Sequence, residues 1–194
     1  MPSVPPRERL LAAAMDYLGT RGISDLSLRE LAEALGTSHR MLIYHFGSKE
    51  GLLTEVVRAV EAAQRDTWNE LVADETLEPA DRPRRLWQRV SDPALEPYVR
   101  LFFEIYGQAL QGREPATALL DGDIQSWQRA TAQGFAAPGA DADTVARLGV
   151  AVTRGLLMDL LATGDRAEVN KAYNLFLTWY EQATTPAGTK PSDG

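Results

Sequence analysis

The sequence predicts an all-α protein of about nine helices. Apolar residues recur every three or four positions along most of the chain, and no run alternates at period two as a strand would. Two pairs, Ser27 with Glu30 and Asp165 with Glu168, have the spacing of a capping box at a helix start. Glycines such as Gly36 follow the apolar stripes where a helix would end.

Four helices are predicted in the first third of the chain. The first follows two prolines and stops at a glycine. A short second helix starts from the Ser27 cap and ends at Gly36, and a short third helix starts from the Ser38 cap and ends at Gly47. A long fourth helix is then predicted over about 49–72.

The rest of the chain is also predicted to be helical. Residues 73–83 are polar and contain prolines, so we interpret them as a connection. The segment APGADAD at 137–143 is a second break, and the tail 185–194 has no apolar side chains to bury and is expected to be disordered. Further helices are predicted at about 84–91, 97–111, 115–136, 143–163 and 167–184.

Composition narrows the class of protein. The 194 residues are 44% apolar, which is enough for a real core. The chain has no cysteine, which excludes disulfides and thiolate metal sites. Charged residues interrupt the apolar runs, so neither a signal peptide nor a membrane span is predicted. We expect a cytoplasmic protein with no membrane partner.

The net charge of −7 is unevenly distributed. Residues 1–65 contain eight basic and eight acidic side chains, so the whole excess of negative charge lies in residues 66–194. A neutral N-terminal region can still bind phosphate if its cations cluster on one face. The low overall isoelectric point therefore does not exclude nucleic acid.

The second and third helices have the features of a helix-turn-helix unit, because a tight glycine-containing turn joins them and another helix precedes them. In such units the second short helix enters the DNA major groove and presents its N-terminal residues to base edges. These residues would be Ser38, His39 and Arg40. Arginine can donate two hydrogen bonds to guanine, and histidine can bond base edges or phosphates.

The segment GTSHRMLIYHFGSKEGLL, with LRELAEAL just upstream, strongly resembles the DNA-binding domain of the TetR family of bacterial transcriptional regulators. The resemblance covers roughly residues 8–60, including the glycine turn, the His-Phe pair and the Ser-Lys-Glu triplet. The family usually has an aromatic residue, commonly tyrosine, three positions before this phenylalanine. Here Ile43 occupies that position and Tyr44 follows it. We assign the family's DNA contact to Tyr44 and interpret Ile43 as a packing residue.

The resemblance implies contacts to the duplex from the second, third and fourth helices. Ser27 and Arg29 would face the duplex from the start of the second helix, and Lys49 would clamp a phosphate. A cation beside the free amides of a helix start is a suitable anion site. The complete DNA-binding prediction is Ser27, Arg29, Ser38, His39, Arg40, Tyr44, His45 and Lys49. Met41, Leu42 and Phe46 are expected to pack in the core.

Other interpretations of this stretch remain open. His39 and His45 are six positions apart, roughly 240° around a helix, so they diverge and do not form a metal-binding pair. A catalytic triad would have to use one of these two histidines on a short surface helix. We predict no metal, no cofactor and no enzymatic activity. His45 could instead hold the turn, and Arg29 and Arg40 could be solvated surface charges.

The C-terminal region is rich in aromatic residues, most of which a helical core would explain. Tyr98, Phe102 and Tyr106 recur at intervals of four along one helix face. In TetR-like regulators the helices after the DNA-binding unit enclose a small-molecule cavity, and such cavities are mostly apolar. The ligand-binding candidates are Trp87, Tyr98, Phe102, Tyr106, Trp127, Arg154 and Met158, with Glu104 and Asp159 as further polar partners.

The last two helices resemble the pair through which the family dimerises. Each carries an apolar stripe, and together the stripes exceed what one pairing within a subunit needs. Packing within the monomer core is the alternative. A dimer would also supply the two-fold symmetry needed to bind a palindrome. The interface candidates are Leu148, Val152, Leu156, Tyr173, Phe176 and Tyr180.

These inferences predict a homodimeric regulator, a repressor that binds a double-stranded palindromic operator and is released by a small-molecule inducer. We assign residues 1–50 to the DNA-binding domain and 51–184 to ligand binding and dimerisation. A helical binding protein or enzyme on a retained DNA-binding scaffold is the alternative. A protein-interaction module is a third class, but it would leave Arg29, His39, Arg40 and Lys49 without a role.

Overall fold

The computed structural model of the chain describes residues 6–21, 27–78, 81–120, 126–127, 129–131 and 141–184. Every regular element within these residues is helical, which confirms the all-α prediction. The α-helices with defined bounds are α1 Pro6–Arg21, α2 Leu28–Ala34, α3 His39–Phe46, α4 Lys49–Ala73, α5 Asp81–Val90, α6 Glu96–Leu110, α7 Ala142–Thr163 and α8 Arg166–Thr184.

Local capping residues set the starts of several helices. The Ser27 and Ser38 hydroxyl oxygens accept hydrogen bonds from the amides of Arg29 and Met41, at 3.3 and 3.2 Å. The Asp165 carboxylate accepts from the Glu168 amide at 3.1 Å. These bonds satisfy amides that have no partner inside the helix, which explains why the cap positions were predictable from sequence.

The predicted helix over 115–136 is only partly as expected. The chain after α6 forms a short 3-10 helix at Ala116–Leu119 instead of starting an α-helix at residue 115. Residues 126–127 and 129–131 are helical. Residues 121–125, 128 and 132–136 lie outside the described residues, as do the 137–140 part of the predicted break and the tail 185–194.

The chain forms two compact units, Met1–Gln64 with Val90–Ile124, and Arg65–Arg89 with Gln125–Gly194. Helix α4 contributes residues to both. The first unit has a core in which α1, α2, α3, the first half of α4, α6 and the 3-10 helix pack their apolar faces. Its largest fully buried side chains are Leu18, Leu31, Leu42, Leu52, Leu101, Ile105 and Leu119.

The second unit has an aromatic interior. Trp87 stacks on Tyr173 with ring centroids 4.4 Å apart, and its indole donates to Asn170 Oδ1 at 2.8 Å. The fully buried Trp68 donates from Nε1 to the Ala130 carbonyl at 2.8 Å. Buried indoles need such partners, since an unpaired N–H away from water is costly. These contacts join α4 to Ala130 and α5 to α8.

Candidate nucleic-acid interface

The α2–α3 segment is a helix-turn-helix unit held by local bonds. The Thr37 amide donates to the Ala32 carbonyl at 2.9 Å across the turn, and the Gly47 amide donates to the Ile43 carbonyl at 2.8 Å at the end of α3. Gly36 and Gly47 have φ angles of 63° and 77°, a region that favours glycine. Both glycines therefore fix where the short helices end.

Helix α3 buries one side and exposes the other. Leu42 and Phe46 are buried, as predicted. The prediction that Met41 packs in the core is wrong, because 40% of its surface is exposed. Ile43, interpreted from sequence as a packing residue, is 36% exposed. An eight-residue helix has room for one narrow buried stripe, and Leu42 and Phe46 fill it.

The predicted DNA-binding residues are mostly accessible. Arg29, Ser38, His39 and Arg40 are exposed, and Tyr44 is the most accessible large side chain of α3, at 78%. Ser27, His45 and Lys49 are half-buried. This arrangement leaves the N-terminal half of α3 open to a large partner.

The three cations of this set make no ion pair within the described residues. Arg29 is exposed at the start of α2, Arg40 in the first turn of α3, and Lys49 is the first residue of α4. No carboxylate of the described residues lies within 4.0 Å of their charged nitrogens. Next to Lys49, the Ser48 hydroxyl caps α4 by accepting from the Gly51 amide at 2.9 Å.

His45 lies at the edge of this surface. Its ring meets those of Tyr44 and Phe46 edge-on, at centroid distances of 5.1 and 6.3 Å. Its Nε2 atom is buried and has no hydrogen-bond partner among the described residues. This half-buried position is compatible with both sequence interpretations, a DNA contact and a residue that holds the turn.

Arg7 was not predicted as part of the site. Its guanidinium on α1 bonds the Glu55 carboxylate on α4 at 2.6 Å and lies 5.3 Å from the centre of the Phe46 ring on α3. Its Nε also donates to the His45 carbonyl at 3.4 Å. These contacts connect the end of α3 to two neighbouring helices over 38 to 48 residues of sequence. No local sequence pattern could have indicated them.

The ligand-binding candidates of the first unit lie on α6. The Tyr98 hydroxyl donates to the Met15 carbonyl at 2.5 Å, so it is already occupied within the protein. Burial raises the pKa of Tyr98 above its usual value. Phe102 is buried and stacks on the half-buried Tyr106 at 5.5 Å between ring centroids. Tyr98 therefore connects α6 to α1, whereas Tyr106 keeps an accessible edge.

The candidates of the second unit differ widely in exposure. Trp87 and Trp127 are buried, at 4% and 8% exposed, and Arg154 is half-buried. Met158 on α7 is 55% exposed. The sequence grouped these residues by type, but only the three-dimensional packing distinguishes interior from surface.

The interface candidates on α7 and α8 also differ in exposure. Leu148 is 55% exposed, whereas Val152, Leu156, Phe176 and Tyr180 are half-buried. Tyr173 is in the interior of the second unit, where its hydroxyl donates to the Pro83 carbonyl at 3.1 Å. The structure therefore places Tyr173 away from any surface that a second copy could contact.

Two exposed apolar residues on α8 were missed. Leu175 is 49% exposed and Trp179 is 61% exposed. With Leu148 and Met158 they account for four of the eight large apolar side chains exposed in the described residues. Polar residues such as Asp159 and Lys171 are also exposed on these helices. Between the large apolar side chains lie the small exposed residues Ala151, Gly155, Ala162 and Ala172. We call these four large apolar and four small residues the α7–α8 stripe.

Two further observations concern the described residues only. None of their helices is long and apolar enough to cross a membrane. No group of three or more histidine and acidic side chains within the same ranges could hold a metal ion.

Comparison with known proteins relates this geometry to one family. Residues 10–56 match the family model of bacterial regulatory proteins, tetR family. A relative, the HTH-type transcriptional regulatory protein RaaS of Mycobacterium tuberculosis, is 32% identical over 113 residues, which are 45% of this chain and 53% of the relative. The chain thus spans about half the length of this curated relative.

Solved structures share the fold over almost the whole chain. A transcriptional regulator from Rhodococcus aligns with a TM-score of 0.74 at 19% identity, covering 94% of this chain and 100% of its own. Salmonella enterica GusR aligns with a TM-score of 0.68 at 21% identity, covering 94% and 98%. The match over α1 to α4 therefore relates the N-terminal helices to the tetR family of bacterial regulatory proteins, and the chain shares its all-helical fold with these solved structures.

Proposed function

We propose that the protein is a DNA-binding transcriptional regulator that inserts α3 into the major groove of its operator. The observation that carries this proposal is the exposed, polar N-terminal half of α3, on a helix anchored by Leu42 and Phe46. There the guanidinium of Arg40 can donate two hydrogen bonds to guanine, and the side chain of Tyr44 is 78% exposed. The name of the Mycobacterium tuberculosis relative, a transcriptional regulatory protein, supports the same role.

The backbone of the duplex would be bound by the cations around α3. Lys49 is at the start of α4, where its charge adds to the positive end of the helix, and Arg29 is in the first turn of α2. Neither forms an ion pair within the described residues, so both charges are available to phosphate. This local positive charge would attract the DNA phosphates even though the whole chain has a net charge of −7.

Selection of bound sequences from randomised duplexes tests this role directly, because the operator need not be known in advance. The native chain should enrich one two-fold symmetric site. On that site, Lys49→Ala should weaken binding to all sequences alike and lower the salt slope by about one. Arg113→Ala, which removes an exposed charge from the loop after α6, is the matched control and should change neither.

Two outcomes would contradict the proposal, one as a whole and one in part. Absence of any enriched sequence would remove the DNA-binding function itself. Retention of both affinity and salt slope in Lys49→Ala would remove only the phosphate contact of that residue, leaving the role of α3 to be judged by Arg40.

The active form is proposed to be a dimer formed through the α7–α8 stripe. Leu148, Met158, Leu175 and Trp179 are large apolar side chains that α7 and α8 leave exposed, and groups of exposed apolar residues often mark protein–protein contacts. The small residues of the stripe, including Gly155, allow close approach of two helix backbones. Two copies of α3 related by a two-fold axis would match a palindromic site.

Regulation by a small molecule is part of the proposal. The Pseudomonas aeruginosa protein NalD, described as the secondary repressor of the MexAB-OprM multidrug efflux pump, shares the fold at a TM-score of 0.62 and 17% identity, over 94% of this chain and 98% of its own. By analogy with this repressor we propose repression, and from the resemblance to TetR-like regulators we propose that a ligand relieves it by favouring a different conformation. A ligand that releases DNA should also change the fluorescence of Trp87 or Trp127. No change with a ligand that does release DNA would remove both tryptophans from the candidate residues.

A further inference from the structure

Ile43 is an exposed apolar residue in a polar neighbourhood of α3. It is 36% exposed, although its side chain is the kind that a helix of a soluble protein normally buries. On an α-helix, residues three and four apart are neighbours. Ile43 therefore lies beside Arg40 and His39, both of which are exposed. Tyr44, 78% exposed, follows directly.

This neighbourhood indicates what kind of partner could cover Ile43. A purely apolar partner would bury the charge of Arg40 and the polar atoms of His39 without hydrogen-bond partners, which is unfavourable. A partner that offers hydrogen-bond acceptors with one embedded apolar group satisfies all three side chains. The major-groove edge of DNA has this character, because the thymine C5-methyl is an apolar group surrounded by base acceptors and donors.

We infer that Ile43 selects thymine in the operator by contacting its C5-methyl group, beside the base bonded by Arg40. This inference rests on the proposed DNA-binding function and adds a sequence preference to it. The contact is apolar and short-ranged, so it discriminates between bases without adding to the salt dependence, in contrast to Lys49. It also gives the exposed end of Ile43 a role, although sequence reasoning had assigned this residue to packing.

Met41 provides an internal control. It is also apolar, is 40% exposed and belongs to the same helix. Residues two apart on a helix do not face each other, so Met41 lies on a different side of α3 from Ile43, next to Tyr44 and His45. A general effect of surface apolarity would affect both positions, whereas a specific methyl contact would affect only Ile43.

A methyl-deletion scan of the selected duplex tests the inference with the full chain. Each thymine is replaced in turn by deoxyuridine, which pairs with adenine in the same way and lacks only the methyl group. At one thymine in each half-site, the native protein should bind about fourfold more weakly, the value for one methyl-sized group. Ile43→Ala should bind the thymine and uracil forms equally there, and Ile43→Val should retain a smaller preference. Met41→Ala should keep the native ratio.

The outcomes separate the two levels of the proposal. Failure to bind any selected duplex overturns the DNA-binding function, and the inference with it. Binding that is insensitive to every thymine methyl overturns only the inference. A methyl preference that persists in Ile43→Ala and disappears in Met41→Ala assigns the contact to Met41 and also overturns it. The helical circular dichroism of each variant, expected to be native because both residues are exposed, checks folding.

Discussion

The surface of α3 and the α7–α8 stripe both expose large apolar side chains, yet their surroundings differ. On the surface of α3, the exposed side chains of Ile43 and Tyr44 lie beside those of Arg40 and His39. Along the stripe, large apolar residues such as Leu148 and Met158 lie beside small residues such as Ala151 and Gly155. Polar donors around an apolar group suit a partner that also presents acceptors, whereas small neighbours suit close packing of helices. The exposure of an apolar side chain therefore does not by itself indicate the kind of partner. The chemistry of the neighbouring side chains does.

The largest expected effect comes from placing a charge in the stripe. Trp179→Glu would bury an unpaired carboxylate if two copies meet there, and should weaken dimerisation roughly a thousandfold. Sedimentation at micromolar concentration should then change from twice 21.3 kDa to a single chain. Leu110→Glu is the matched control, because Leu110 is equally exposed, at 65%, but lies at the end of α6. A Trp179→Glu variant that remains dimeric would contradict the proposed interface.

Tyr173 is buried and therefore does not belong to the α7–α8 stripe, and its ionisation tests that burial. Burial raises its pKa to about 12. A folded-state pKa above the usual value of 10 means that the neutral phenol stabilises the fold below pH 10, and that this contribution is lost as pH rises towards 12. The free energy of unfolding should fall by up to about 3 kcal/mol over that range. Tyr173→Phe should remove this part of the alkaline transition. Ionisation of Tyr173 near pH 10 in the folded protein would mean that its ring is accessible.

On α3, we expect that removing the guanidinium of Arg40 weakens the preference for one base of the operator. Arg40→Ala should weaken binding to the selected duplex by about 2 kcal/mol, roughly thirtyfold, and relax preference at one base position. The variant should still sediment as a dimer, because Arg40 does not belong to the stripe. Competition with duplexes changed at each position measures the preference. Unchanged selectivity would make Arg40 a solvated surface charge, the alternative that the sequence left open.

A smaller effect is expected from Arg7, which contacts neighbouring helices instead of phosphate. Its bonds to Glu55 and its position over the Phe46 ring hold the end of α3. Arg7→Ala should weaken DNA binding about fivefold, because an exposed ion pair and a cation–π contact contribute about 1 kcal/mol together. The salt slope should stay the same. Arg9→Ala, an exposed charge on the same helix, is the control. A slope reduced by about one would instead show that Arg7 contacts a phosphate.

The parts of the fold that the sequence predicted are those set by local chemistry. The caps at Ser27, Ser38 and Asp165 involve residues two or three positions away, and the structure contains all three. The glycine stops are equally local, since only the backbone at Gly36 and Gly47 decides them. The all-helical class, the bounds of α4 and the helix-turn-helix unit follow from such signals.

The parts that could not be predicted depend on distant partners. Tyr173 points into the interior because its ring stacks on Trp87 and its hydroxyl donates to the Pro83 carbonyl, 90 residues away in sequence. Met41 and Leu42 are adjacent and both apolar, and only the packing of α3 decides that Leu42 is buried and Met41 exposed. Periodicity shows that a helix has an apolar side, but not which of two apolar sides meets the core.

The central claim is that α3 binds DNA and the stripe binds a second copy. Sedimentation of the native chain and of Arg40→Ala with a selected, labelled duplex tests both parts in one measurement. We expect two native chains on each duplex, and an Arg40→Ala variant that remains at twice 21.3 kDa but moves with the DNA only at roughly thirtyfold higher protein concentration. A native chain that never associates with the duplex, or an Arg40→Ala variant that binds it as tightly as the native chain, would contradict the account.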